Sequence, residues 1–289
     1  MIMTADKGNS VVILPTQQYN TKIQNFIDKN NFQTSAVNPT KTFQNHIRKI
    51  INHSTTLITQ DSKWKFINLN HSVPTIKGLI NLRKPDQPIH PIVNWCNAPA
   101  YKLSKLFTLN IKQFTPLPYS FNIKNTTELI HELKQTPVTP TSTLASLDIT
   151  NMCSNIPIIE TKHILENMLT SKPTDPQIKA ELLDWYEVIT KQNYILNNDK
   201  IIIQTDGLAM GAPSSSIVSE IFLQHIEHTY LPCPAQKHKL INYFRFVNDI
   251  LLIYDLQHTN IHTILNDFNY IHPNLVFTQE TEQNNKIIT

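Results

Sequence analysis

The chain has 289 residues, which is enough for one large domain or two modest ones with a substantial core. Hydrophobic residues make up 40% and charged residues 16%, and this balance excludes a disordered polypeptide. The net charge of +3 gives only weak support for a nucleic-acid partner. No apolar run approaches the roughly 18 residues of a membrane span, so no membrane partner is expected.

The cysteines indicate the compartment. Cys96, Cys153 and Cys233 are far apart and odd in number, so they form neither a disulfide framework nor a zinc pattern. We therefore expect a reducing, intracellular compartment, with nucleus and cytoplasm both left open.

The apolar spacing predicts a mixed α+β fold. Residues 6–14 predict a turn followed by a strand, and residues 18–60 have helical spacing. The proline-rich stretch 74–99 suits extended segments and turns. Residues 100–135 are helical again, with a break near Pro116 and Pro118.

Three later segments are more informative. Residues 143–148 predict a short strand that ends in Asp148, and residues 214–230 predict a helix whose apolar positions share one face. Residues 243–254 predict a strand, a turn and a second strand. We place the turn at Asn248–Asp249, because both residue types tolerate positive φ.

Two carboxylates and a glycine loop are the candidate chemical features. Asp148 and Asp249 each stand at the end of a predicted strand, where an isolated acid is usually a solvated turn residue. Between them, Gly207 and Gly211 are two of only four glycines in the chain, and they precede a helix. A backbone bare of side chains at a helix N-terminus suits close approach by a phosphate or a base pair. An ordinary loop-to-helix turn has the same spacing.

Taken in order, these segments resemble the signature motifs of reverse transcriptases. The strand ending in Asp148, the loop 207–213 and the hairpin 246–249 resemble the three motifs of the polymerase palm. The motif sequences are most similar to those of Penelope-like retroelements, whose relatives include telomerase. Further likeness to that family occurs, in the same order, in residues 5–13, 74–79, 88–93, 148–157 and 277–282.

The resemblance implies an organisation and a reaction. Residues 1–70 would be an N-terminal region with helices, 71–135 the fingers, and 136–289 a palm formed by an antiparallel sheet backed by helices. The family synthesises DNA on an RNA template from a DNA primer and deoxynucleoside triphosphates. It uses two Mg²⁺ or Mn²⁺ ions held by palm carboxylates.

The resemblance also implies residue roles. Asp148, Asn248 and Asp249 take the catalytic positions, and Asp148 and Asp249 the metal-ligand positions. Nucleotide-binding positions fall on Asn81, His90, Ile149, Cys153, Met210 and Gly211, and template–primer positions on Arg83, Lys84, Gln204 and Gly207. Lys102 and Lys105 are expected beside Arg83 and Lys84 on the fingers side of the cleft, or else are solvated surface cations.

Several positions depart from the family pattern. Asn248 stands where the family has the aspartate that bridges the two ions, and an uncharged amide is a poor bridge. His90 replaces an arginine that holds the triphosphate, Asn81 replaces a lysine, and Cys153 replaces an aromatic residue. The sequence stops at Thr289 without the family's thumb, so we expect either an eroded gene or a fragment.

Three functions remain open on the sequence. The leading one is a retroelement reverse-transcriptase domain that binds template and primer but has lost most or all polymerase activity. The second is an active polymerase that tolerates Asn248. The third is a nucleic-acid-binding remnant without metals. Metal binding separates the first two from the third, and nucleotide incorporation distinguishes the second from the others.

Overall fold

A computed structural model describes residues 1–6, 8–30, 32–82, 86–118 and 121–280. Within them the strands are β1 Ile2–Thr4, β2 Val11–Ile13, β3 Gln33–Ser35, β4 Thr75–Ile80, β5 Ile89–Asn94, β6 Ser142–Ile149, β7 Tyr194–Asn197, β8 Lys200–Ile203, β9 Asn242–Phe246, β10 Asp249–Asp255 and β11 Phe277–Glu280. The helices are α1 Thr16–Lys29, α2 Thr40–His53, α3 Lys63–Phe66, α4 Tyr101–Phe114, α5 Thr126–Gln135, α6 Met152–Asn155, α7 Ile158–Thr170, α8 Pro176–Thr190, α9 Ser215–Tyr230, α10 Pro232–Lys237 and α11 Ile261–Asn269, with a short 3₁₀ turn at Gln60–Ser62.

The predicted α+β class and the sheet backed by helices are confirmed. The proline-rich stretch forms β4 and β5, the strand before Asp148 is β6, and the helix predicted at 214–230 is α9. Local signals explain several boundaries. Asn125, Asp175 and Asn260 each cap a helix by accepting a backbone N–H, and Pro176 occupies the first turn of α8. In the described residues, no helix combines the length and apolar character needed to cross a bilayer.

The chain divides into two compact units that are discontinuous in sequence. The first comprises Met1–Phe114 and Glu166–Ser215, and the second comprises Thr115–Leu165 and the described residues from Ser216 onwards. These units do not follow the predicted divisions at residues 70 and 135. The roles assigned to those segments therefore stay predictions.

The first unit contains a mixed sheet with the strand order β3–β8–β7–β4–β5. Only the β4–β7 pair is parallel among the pairings described there. Helices α2, α4 and α8 pack together beside it and bury Ile47, Phe107 and Trp185. The indole Nε1 of Trp185 donates to Ser54 Oγ at 2.8 Å, which ties α8 to the end of α2.

The second unit contains an antiparallel sheet with the order β11–β6–β10–β9. The central strands β6 and β10 are aligned so that Asp148 faces Asp249 and Ser142 faces Asp255. The core of this unit includes Leu147, Leu252 and Phe268 from the sheet and α11, and Phe222 from α9, all at most 1% exposed.

A buried ion network links β9 to α9. The side chain of Arg245 is fully buried, and its guanidinium donates to Glu227 Oε1 at 2.6 Å and to Glu220 Oε1 at 2.8 Å. Tyr243 donates to the same Glu227 oxygen, and Asn122 to Glu220. Burial alone would lower the pKa of Arg245, but the hydrogen bonds and charges of the two glutamates raise it above its ordinary value. The guanidinium therefore stays charged at any working pH.

Loss of the buried Arg245 network should destabilise the protein more than loss of an exposed ion pair in the same unit. Arg245→Met leaves Glu220 and Glu227 buried without their cation, so we expect it to lower the free energy of unfolding by about 3–5 kcal/mol. The control is Lys237→Met. It breaks the pair with Asp267, in which the lysine side chain is 62% exposed, and should cost at most about 1 kcal/mol. Urea unfolding measures both, and equal losses would contradict the stabilising role of the network.

Candidate functional site

The structure brings Asp148, Asn248 and Asp249 together at one end of the β6–β10 pair. Asp148 and Asp249 are cross-strand partners, and in such antiparallel pairs the Cβ atoms lie roughly 4.5–5.5 Å apart. Asn248 precedes Asp249 in the hairpin, and its Nδ2 donates to Asp148 Oδ1 at 2.5 Å. Asp148 and Asn248 are half-buried and Asp249 is exposed.

The hairpin turn differs from the predicted one. The pairing of Phe246 with Asp249 makes Val247 and Asn248 the turn residues, so the Asn248–Asp249 assignment is wrong. The positive φ, +58°, falls on Val247, a β-branched residue for which this region is strained. The Asn–Asp turn of the expected kind occurs elsewhere. Asn198 and Asp199 join β7 to β8 with φ of +46° and +61°.

Arg245 explains how the Val247 turn is held. Its Nη1 donates to the carbonyl oxygen of Val247 at 3.0 Å, while the same guanidinium is held by α9. On the other side, Ile149 N–H donates to Asn248 O at 3.0 Å. The turn is thus fixed at both of its residues, and this places the Asn248 side chain beside Asp148. Sequence reasoning missed Arg245, although a cation between Phe244 and Phe246 in an otherwise apolar strand was a signal of a buried partner.

The charge arrangement bears on metal binding. Two carboxylates that face each other across strands repel, and a divalent cation between them would offset that repulsion. Here Asn248 donates an amide N–H to Asp148 Oδ1 and adds no negative charge to the pair of carboxylates. Among the described residues, no group of three or more His, Cys, Asp or Glu side chains is arranged to hold a metal ion. The residues present therefore do not fit a two-ion centre.

A cavity of about 470 Å³ lies beside Asp249. Its lining combines an apolar part with one lysine and three uncharged polar residues, namely Ile123, Leu129, Phe244 and Leu251 on the apolar side and Lys124, Asn125, Thr126 and Ser146 on the polar side. The Arg245 guanidinium is held by two glutamates, so Lys124 is the cation of this lining without such a buried ion pair.

Two further predicted nucleotide-binding residues lie in the same unit as the carboxylates. Ile149 ends β6 and is only 3% exposed, so it is buried in this structure. Cys153 is half-buried in the short helix α6, and burial raises the pKa of its thiol. An uncharged, half-buried thiol is a weak nucleophile and a weak metal ligand at neutral pH.

The predicted loop residues belong to the first unit. Gln204 is buried, and its amide donates to Asn30 O while accepting from Asn193. The same Asn193 amide donates to Gly207 O at 3.1 Å. These bonds hold the loop from within, and a role of Gln204 or Gly207 toward template and primer stays a prediction.

Gly211 has a structural requirement of its own. Its φ is +79°, and a Cβ at this position would lie 2.2 Å from the backbone oxygen of Val93 in β5. Only glycine permits both features. Met210 beside it is half-buried. The glycine that the resemblance assigns to nucleotide binding thus also lets the loop approach a strand of its own unit.

The remaining predicted residues are partly accounted for. His90 is exposed in β5, and its Nδ1 lies 2.6 Å from Asp6 Oδ1, a contact that joins residues 5–13 to residues 88–93. Asn81 donates its backbone N–H to Pro88 O. Lys102 donates to Ile67 O, and Lys105 lies over the Tyr101 ring. Arg83, Lys84 and the 281–282 end of the last motif lie outside the described residues.

The site geometry predicts how metal affinity responds to one side chain. Asn248→Asp replaces the amide donor with a third carboxylate, and we expect Mn²⁺ affinity measured by calorimetry to rise at least about tenfold. Asn198→Asp is the matched control, because it creates the same Asp–Asp sequence in the exposed β7–β8 turn. It should leave the Mn²⁺ affinity unchanged. Equal affinity in the wild type and in Asn248→Asp would contradict this account of the site.

Comparison with known proteins shows the fold. No family model matches the chain, and no curated protein sequence is similar to it. Among solved structures, telomerase from Candida albicans in complex with a TWJ fragment of telomeric RNA superposes with a TM-score of 0.63 at 11% identity, covering 99% of this chain and 50% of that one. Telomerase from Candida tropicalis without ligand gives 0.58 at 9% identity, covering 96% and 52%. The chain spans about half the length of these telomerase chains, and it is similar to them in fold.

Proposed function

We propose that this chain is a reverse-transcriptase-like domain of a Penelope-like retroelement that binds an RNA template and DNA primer but does not polymerise. The ordered motifs from residue 5 to residue 282 support the family, and the telomerase-like fold supports a polymerase ancestry. In this proposal the second unit is the palm.

One observation carries the loss of activity. Asn248 donates its amide hydrogen to Asp148, so the position that should share a cation with Asp148 forms a hydrogen bond to it instead. Two-ion catalysis needs carboxylates that stabilise both the attacking and the leaving oxygen through the ions. With Asp148 committed to an amide and one carboxylate opposite it, such a centre is not formed. Removal of a positioned electrostatic element commonly lowers a rate about 10²–10³-fold, and loss of a bridging ligand would lower it further.

Nucleic-acid binding survives the loss of catalysis, because the two depend on different groups. Binding depends on cations that meet the phosphate backbone, and its affinity falls as salt rises. The presence of asparagine instead of aspartate at position 248 alters the charge of the hairpin. It does not affect the lysines of α3 and α4. The proposal therefore separates retained binding from lost incorporation.

Primer extension tests this proposal. With an RNA template, a DNA primer and Mg²⁺ or Mn²⁺, the wild type should give no extension, while a labelled hybrid still binds in a salt-dependent manner. Asn248→Asp should gain metal affinity but little synthesis. A triple variant should recover some DNA synthesis when it is fused to a polymerase thumb domain. It combines Asn248→Asp with His90→Arg and Asn81→Lys, and so restores a third carboxylate and two phosphate-binding cations.

Robust extension by the wild type would contradict the proposal and favour an active polymerase that tolerates Asn248. If the wild type did not bind the hybrid even at low salt, the proposal would also be contradicted, because the retained binding function would be missing. Asn198→Asp again controls for added charge.

A further inference from the structure

One tryptophan of the chain is placed unlike the other two. Trp95 and Trp185 are 1% and 0% exposed, whereas Trp64 in the short helix α3 is 66% exposed. A single exposed aromatic residue is ordinary on a protein surface, so the indole is informative through the cations beside it. The planar ring suits stacking against another flat, aromatic group.

One ammonium group lies beside this indole, and two more lie on the neighbouring helix. Lys65 Nζ is 5.9 Å from the centroid of the Trp64 ring. Lys102, in the first turn of α4, donates to the carbonyl oxygen of Ile67, the residue after α3, at 3.1 Å. Lys105, one turn further along α4, is exposed and lies 4.6 Å from the Tyr101 ring centroid. Helices α3 and α4 are in contact, so the three lysines and Trp64 stand on two adjoining helices.

The charge of this part of the sequence is predominantly positive. Residues 60–114 contain eight lysines and arginines and two acids, Asp61 and Asp86, a net charge of +6. Since the whole chain carries +3, the remaining residues carry −3. Helix α4 contains three lysines and no acid. A polyanion is the partner that this excess of cations fits.

We propose that Trp64, with Lys65, Lys102 and Lys105, forms a binding site for single-stranded nucleic acid. A base stacks on the exposed indole, and neighbouring phosphates meet the ammonium groups. This combination of one stacking surface and several cations is sequence-tolerant, because every base offers a flat face. The inference rests on the proposed nucleic-acid-binding function and specifies where the unpaired strand binds.

The distribution of tryptophans supplies a direct probe. Since the other two indoles are buried, a change in intrinsic fluorescence on adding oligo(dT) or oligo(U) reports Trp64. We expect quenching by both single strands and less by a duplex of the same length. Trp64→Phe should abolish the fluorescence change yet keep most of the affinity measured by anisotropy of a labelled oligonucleotide. Trp64→Ala should weaken binding roughly tenfold to a hundredfold.

Matched variants separate stacking from charge. Tyr270→Ala removes an aromatic ring that is 88% exposed in the second unit, and affinity should not change. Lys65→Gln and Lys105→Gln should each lower the slope of log affinity against log salt by about 0.7. Unchanged affinity in Trp64→Ala, with binding intact in the wild type, would overturn this site while leaving the proposed function standing. A wild type that binds no nucleic acid would overturn both.

Discussion

The arrangement of the second unit depends on one buried cation. Arg245 sits in β9 with no exposed side-chain surface and is held by Glu220 and Glu227, which lie 25 and 18 residues away on α9. The same guanidinium donates to Val247 O and so stabilises a β-branched residue at positive φ. Without that bond the strained turn would relax, and Asn248 would lose its position beside Asp148. A helix at the back of the sheet thus determines the geometry of the hairpin at its end.

The hairpin then resolves an electrostatic problem in a different way from a two-ion centre. The β6–β10 register forces Asp148 and Asp249 to face one another, and two facing carboxylates repel. A polymerase offsets this repulsion with divalent cations. Here an amide hydrogen bond satisfies Asp148, and Asp249 is exposed to water, which screens its charge.

Sequence reasoning located the elements that carry the site, because their signals are local. An apolar run ending in Asp148, a glycine loop before an amphipathic helix and a short hairpin are each visible within about ten residues. The turn residues were misassigned, because the pairing of Phe246 with Asp249 determines them and the local Asn–Asp preference does not. The bond from Arg245 to Val247 was also beyond prediction, since that guanidinium is held by distant glutamates on α9. The contact of Gly211 with Val93 and the pairing of His90 with Asp6 were also beyond prediction, since both join segments far apart in sequence. The two units are likewise discontinuous, because β7 pairs with β4 and β8 with β3.

The proposed function requires this chain to bind nucleic acid without metal ions at Asp148 and Asp249. The most direct measurement is the affinity for an RNA–DNA hybrid in magnesium and in EDTA, at constant ionic strength and with the next nucleotide present and absent. The account predicts the same dissociation constant in all four conditions. A constant that tightens only when magnesium and the matching nucleotide are both present would contradict it, because a metal-dependent ternary complex would then have formed.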